Sequence, residues 1–117
     1  GEGNNEGAVE QYSSALDTAE AAILQAHGKG EGSSKPVKDL EALRLACLLN
    51  RAMARLRLGK WQEVVSDTTR AMALGGETPK ALYRRATALI SLNEESAALT
   101  DLRAANKAVK GEDKLIG

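Results

Sequence analysis

Asn50, Lys80 and Arg84 are the side chains whose spacing sets them up to act together. Asn50 opens the stretch NRAMARLRLGKWQEVVSDTTRAMAL, and Arg84 opens RRATALISLNEESAALTDLRAANKA, which echoes it 34 residues later. Residues one period apart take the same place in successive units, so Asn50 and Arg84 are expected to face one groove. Lys80 stands four residues before Arg84, one turn away on the same helix face. An amide, an ammonium and a guanidinium therefore converge. All three donate hydrogen bonds, two of them with charge, which is chemistry for binding rather than for bond breaking. A Lys and an Arg at i and i+4 also make an ordinary solvated face, and it is the register with Asn50 that separates the two readings.

The elements that position these groups follow from the same echo. Ala52 pairs with Ala86, Gly59 with Asn93, Val64 with Ala98 and Ala71 with Ala105, each at 34 residues. A period of that length is the signature of stacked helical hairpins. Composition agrees. The 117 residues suit one domain with a single modest core, and an aromatic content of 3% with no Phe argues against a sheet core. The fold class expected is all-α. Apolar spacing at Ala8, Val9, Tyr12, Ala15 and Leu16 predicts a first helix over 5–26. HGKGEGSSKP, residues 27–36, reads as a flexible linker, with Pro36 in the first turn of the next helix and a preceding serine as its cap. Further helices are expected over 37–58, 60–74 (closed by Gly75-Gly76), 79–91 and 94–109, with Gly111 as an interruption before one more helix starting at 112.

LLNRAMARLRLGKWQEVVSDTTRAMAL followed by PKALYRRATALISLNEESAALTDLRAANKA resembles two consecutive tetratricopeptide (TPR) repeats. The resemblance implies antiparallel helix hairpins stacked in a superhelical array. Small residues at the crossings (Ala52, Ala86, Val64, Ala98, Ala71, Ala105) let neighbouring helices approach to the usual interaxial distance of roughly 8–10 Å. Trp61 takes the aromatic place after the internal turn, whereas Glu95 and Arg55 depart from the pattern. Gly3, Ala8, Tyr12 and Ala15 match Gly59, Val64, Thr68 and Ala71 at a constant offset of 56, one period plus an insertion of 22. The expectation is about two and a half repeats: the second helix of a first repeat over 1–26, the linker over 27–36, repeats over 37–76 and 77–110, and the start of a C-terminal helix over 111–117. On this reading the first helix of the first repeat is missing.

A lengthened first hairpin, the run PKALYRRATAL and the ending VKGEDKLIG together resemble the repeat domain of the larger immunophilin co-chaperones, of cyclophilin and FKBP types. In the carboxylate-clamp subset of these domains, matching positions hold the C-terminal Glu-Glu-Val-Asp of heat-shock protein 90 or heat-shock protein 70. By that resemblance Asn50 donates its amide to the terminal carboxylate, and Lys80 and Arg84 neutralise carboxylates of the peptide's end. The family's clamp takes another Lys and Asn from the first helix, so this chain alone is expected to bind such a peptide weakly or not at all, and a parent that contains that helix to bind it better. A different reading is a structural module that self-associates through its incomplete first repeat. A third makes the chain the targeting domain of a prolyl isomerase whose catalytic domain is outside it.

The remaining residues argue mostly by exclusion. Lys and Arg total 16, as do Asp and Glu, so no global field draws the chain to nucleic acid or to an anionic membrane. Arg44, Arg51 and Arg55 form one basic stripe, offset by acids such as Asp39, Glu41 and Glu63. No apolar run approaches the roughly 18 residues of a membrane span. Cys47, the only cysteine, suits a reducing, cytoplasmic setting and a packed position, and Tyr83 likewise reads as packing. His27 reads as an exposed linker residue. No metal cluster, phosphate loop or nucleophile triad is visible, and neither catalysis nor a cofactor is expected of the chain.

Overall fold

The starts and stops of the helices follow from local chemistry. The computed structural model describes the backbone of residues 2–116 and the side chains of residues 4–110. Five helices follow in order: α1 Glu2–Gly28, α2 Lys35–Arg57, α3 Trp61–Gly75, α4 Pro79–Ser91 and α5 Glu95–Ile116. Ser34 caps α2 by accepting the Val37 N–H at 3.4 Å, and Thr78 caps α4 by accepting the Ala81 N–H at 3.3 Å. In both, Pro occupies the first turn, where its missing N–H costs nothing.

The two internal turns are copies. Gly59 (φ 72°) and Asn93 (φ 63°) both adopt the left-handed conformation, which Gly enters freely and Asn tolerates best among the other residues. The hydrogen bonds repeat as well. Lys60 N donates to Arg55 O at 2.9 Å and Glu94 N to Leu89 O at 2.8 Å, while Gly59 N and Asn93 N reach Leu56 O and Ile90 O.

Two expectations about glycine are corrected. Gly3, expected in a turn equivalent to Gly59, lies inside α1, and Gly111, expected to interrupt, lies inside α5. A lone helical glycine costs only about 1 kcal/mol relative to alanine; it ends a helix where the next residues reverse the chain, as at Gly59. The expected separate helix from 112 is thus the end of α5. The 27–36 connection is also shorter than expected, since α1 runs to Gly28 and α2 starts at Lys35. Glu31 N closes back onto Ala26 O at 2.8 Å, and Gly30 takes φ 76° to allow it.

Each helix packs on the next, and α2 also touches α4. This is a stack of helical hairpins, a TPR architecture. The small crossing residues are all buried: Ala52, Val64, Ala71, Ala86, Ala98 and Ala105 are at most 1% exposed. Trp61 and Leu56 pack against Ala52, Val64 and Ala88, and Cys47 and Leu48 join Leu16 of α1 to Ala71 of α3.

Between the apolar layers runs a polar ladder. Arg51 grips Asp67 through two bonds of 3.0 and 2.7 Å and donates to Ser13 Oγ at 3.0 Å. One period on, Arg85 grips Asp101 through two bonds of 2.7 Å and donates to Thr69 Oγ1 at 3.2 Å. Each arginine pins its own repeat to the preceding helix. Hydrogen bonding to the buried carboxylate raises the pKa of both guanidiniums, against the opposing cost of burial. Arg55, which departs from the aromatic pattern, adds a 2.8 Å bond to Asp67.

Candidate functional site

A cavity of about 300 Å³ opens where α1, α2 and α4 meet. Its lining is Asn5, Ala8 and Tyr12 from α1, Asn50, Met53, Ala54 and Arg57 from α2, and Arg84 from α4. The small side chains of Ala8 and Ala54 leave the space, and apart from Met53 the rest of the lining carries polar groups. Asn50 and Arg84 thus share one cavity, as their spacing implied. Lys80 is exposed one turn before Arg84 and is not among the lining residues. Residues at i and i+4 are offset by roughly 6 Å along a helix and by about 40° around it, enough to carry Lys80 beyond the cavity's edge.

Arg84 is held in place from behind. Its Nη1 donates to the Leu49 carbonyl of α2 at 2.8 Å, fixing the guanidinium while leaving other donors free. Burial, and then the nearby positive charge of Arg57, lower its pKa. No carboxylate pairs with Arg57, Lys80 or Arg84 among the described residues. The contrast with the basic stripe is sharp. Arg51 and Arg55 sit on Asp67, Arg44 lies 3.8 Å from Glu41, and Arg55 also lies 3.6 Å from Glu63. The stripe is internally neutralised, whereas among the described residues the cavity's positive charge has no acidic partner, in a chain whose total charge is zero.

The structure adds residues that the spacing argument missed. Arg57 lies seven residues, two turns, after Asn50 on the same face of α2, a signal present in the sequence. Asn5 carried no such signal, because its place depends on how α1 lies against α2. Tyr83, read as packing, is instead 44% exposed on α4. Cys47 is buried as expected, and burial pushes its thiol pKa up, with the Arg51 charge opposing. His27 is exposed. Among the described residues no helix is long and apolar enough to cross a membrane.

Residues 1–112, from α1 into the last turns of α5, match the profile of a family described as bacterial transcriptional activator domain. The chain belongs to that family. The 34-residue echo and the hairpin packing make it a TPR domain. The chain is 32% identical over 126 residues to "Peptidyl-prolyl cis-trans isomerase D" of Cryptococcus neoformans, a match covering 97% of this chain and 34% of that protein. It is 31% identical over 86 residues to "Peptidyl-prolyl cis-trans isomerase FKBP4" of Bos taurus, covering 68% of this chain and 19% of that one. The chain therefore spans about a third or less of the length of these relatives. A solved structure, the second TPR of Spaghetti (RPAP3) bound to the HSP90 peptide SRMEEVD, superposes with a TM-score of 0.50 at 24% identity, over 90% of this chain and 95% of that one. That likeness establishes the fold.

Proposed function

We propose that the chain is a docking module for the acidic C-terminal tail of a heat-shock chaperone, with the Glu-Glu-Val-Asp end of heat-shock protein 90 as its ligand. The observation that carries this reading is the pairing of Asn50 and Arg84 across a cavity with positive charge that no carboxylate among the described residues compensates. An anion is the missing counterpart. In this reading Asn50 donates its amide to the terminal carboxylate. Arg84, pre-set by Leu49 O, makes charge-assisted bonds, and Lys80 neutralises an acidic side chain just outside the cavity. Supporting it, the solved TPR neighbour holds a peptide ending in EEVD, and the isomerase relatives resemble the immunophilin co-chaperones named from the sequence. The same relatives support a wider inference: the chain is the targeting part of a longer prolyl isomerase whose catalysis resides elsewhere.

Isothermal calorimetry with Met-Glu-Glu-Val-Asp as free acid and as C-terminal amide tests the docking reading. Hydrogen bonds to a charged group contribute about 1.5–3 kcal/mol, so the amide is expected to bind at least about tenfold more weakly. Equal affinity of the two forms would remove the basis for end recognition.

A further inference from the structure

The echo between the hairpins makes one groove of this protein a template for another. Arg51 and Arg85, one period apart, make the same bonds, each gripping its own aspartate and reaching a hydroxyl on the preceding helix. Around that shared frame two positions differ: Arg55 and Glu63 of the first groove become Leu89 and Ala97 in the second, 34 residues on. In the first groove Arg55 Nη1 donates to Asp67 Oδ2 at 2.8 Å, an atom that also accepts from Arg51 Nε, and Glu63 lies 3.6 Å from Arg55. In the second, Asp101 accepts from Arg85 alone among the described residues. A cavity of about 410 Å³ opens there, lined by α3, α4 and α5, with Leu89, Ala97, Thr100 and Asp101 in its wall. An ionised carboxylate offers about four acceptor sites, so Asp101 keeps room for the second guanidinium that Asp67 already holds. The charges of Asp101 and Glu77 both act on Arg85, which sets one cation against two carboxylates.

We propose that this cavity is a docking site for an arginine side chain of a partner protein, whose guanidinium bonds to Asp101 as Arg55 bonds to Asp67, with its methylene stem lying on Leu89 and Ala97. Thr100 Oγ1 donates to the Ser96 carbonyl at 3.1 Å and keeps its lone pairs for a further N–H donor. Arginine fits better than lysine because its planar fork reaches a carboxylate that is already half occupied, and it is the more weakly hydrated cation. The occupant belongs to a chain. Arg85 and Asp101 are the only charged residues of the lining and hold each other, so nothing there pairs with the ammonium and carboxylate of free arginine. The site is separate from the cavity of Asn50 and Arg84. Arg84 and Arg85 follow one another on α4 and so point about 100° apart, and the arginine site neither needs nor obstructs the docking of an acidic tail.

The test is an NMR titration of the ¹⁵N-labelled chain with acetylated, amidated Ala-Arg-Ala and with its citrulline counterpart, which keeps the shape of arginine and removes the charge. The backbone amides of Ala97, Thr100 and Asp101 are expected to shift saturably with the arginine peptide. The citrulline peptide should bind at least about tenfold more weakly, the loss of one charge-assisted contact. Leu89→Arg supplies from within the chain the guanidinium that Arg55 supplies one period earlier, and is expected to weaken the arginine peptide at least about tenfold, with circular dichroism confirming the fold. Ala97→Leu fills the cavity from its exposed rim and should do the same, which keeps the test decisive if Leu89→Arg does not fold. No saturable shift, equal affinity for arginine and citrulline, or undiminished binding by the folded variants would overturn the site. Free arginine binding more tightly than the capped tripeptide would overturn the assignment to a partner chain.

Discussion

Arg84→Ala is expected to reduce affinity for Met-Glu-Glu-Val-Asp by about 30-fold or more, the scale seen when one member of a buried charge-assisted pair is removed. Arg84 is the most buried cation of the cavity, and its orientation is already fixed by the 2.8 Å bond to Leu49 O. A side chain ordered before binding loses little further entropy on binding. Arg84→Lys is expected to recover only a small part, since an ammonium lacks the fork that both holds Leu49 O and presents donors to a carboxylate. Folding should be nearly untouched. The substitution gives up one hydrogen bond and relieves the repulsion from Arg57, so the net change in stability is expected to stay within about 1 kcal/mol. Calorimetry together with urea unfolding separates the two effects, and an unchanged affinity would contradict the role given to Arg84.

The second large effect concerns stability. Asp67→Ala is expected to destabilise the fold by about 3–5 kcal/mol, the cost of breaking a buried ion pair and stranding its partners. The carboxylate is 3% exposed and is gripped by Arg51 and Arg55, whose side chains are only 14% and 17% exposed. Removing it strands Arg51 without its carboxylate and leaves Arg55 only the half-exposed Glu63. For a domain of this size the loss corresponds to a fall in melting temperature on the order of 15 °C. Asp101→Ala is expected to cost less, because Asp101 serves Arg85 alone. Glu63, 54% exposed beside Arg55, is the control; its removal should change stability by less than about 1 kcal/mol. Thermal unfolding followed by circular dichroism reads all three. A loss at Asp67 no larger than at Glu63 would mean that the ladder is ornament.

The legible part of the sequence was whatever repeats. The left-handed turns at Gly59 and Asn93, the small buried crossings and the shared cavity of Asn50 and Arg84 all recur at one spacing, and a periodic constraint is visible without coordinates. The ladder obeys the same spacing. Arg51 with Arg85 and Asp67 with Asp101 are spaced like the alanines, but spacing alone does not tell a buried ion pair from charges on a solvated face. Gly3 and Gly111 misled for the opposite reason. A residue type was read as a signal, although helix termination depends on what the following residues do. Lys80 and Asn5 show the remaining limit. A spacing of four residues assigns a face, not an edge, and a contact between α1 and α2 depends on packing that no local pattern encodes.

The most direct test of docking in this cavity is a titration of the ¹⁵N-labelled chain with free-acid Met-Glu-Glu-Val-Asp, following side-chain resonances by NMR. The Asn50 amide and the Arg84 guanidinium should shift together, saturate with one common Kd, and need at least about tenfold more of the amidated peptide to reach the same shift. Shifts confined to the opposite surface, or equal responses to both peptides, would contradict the account.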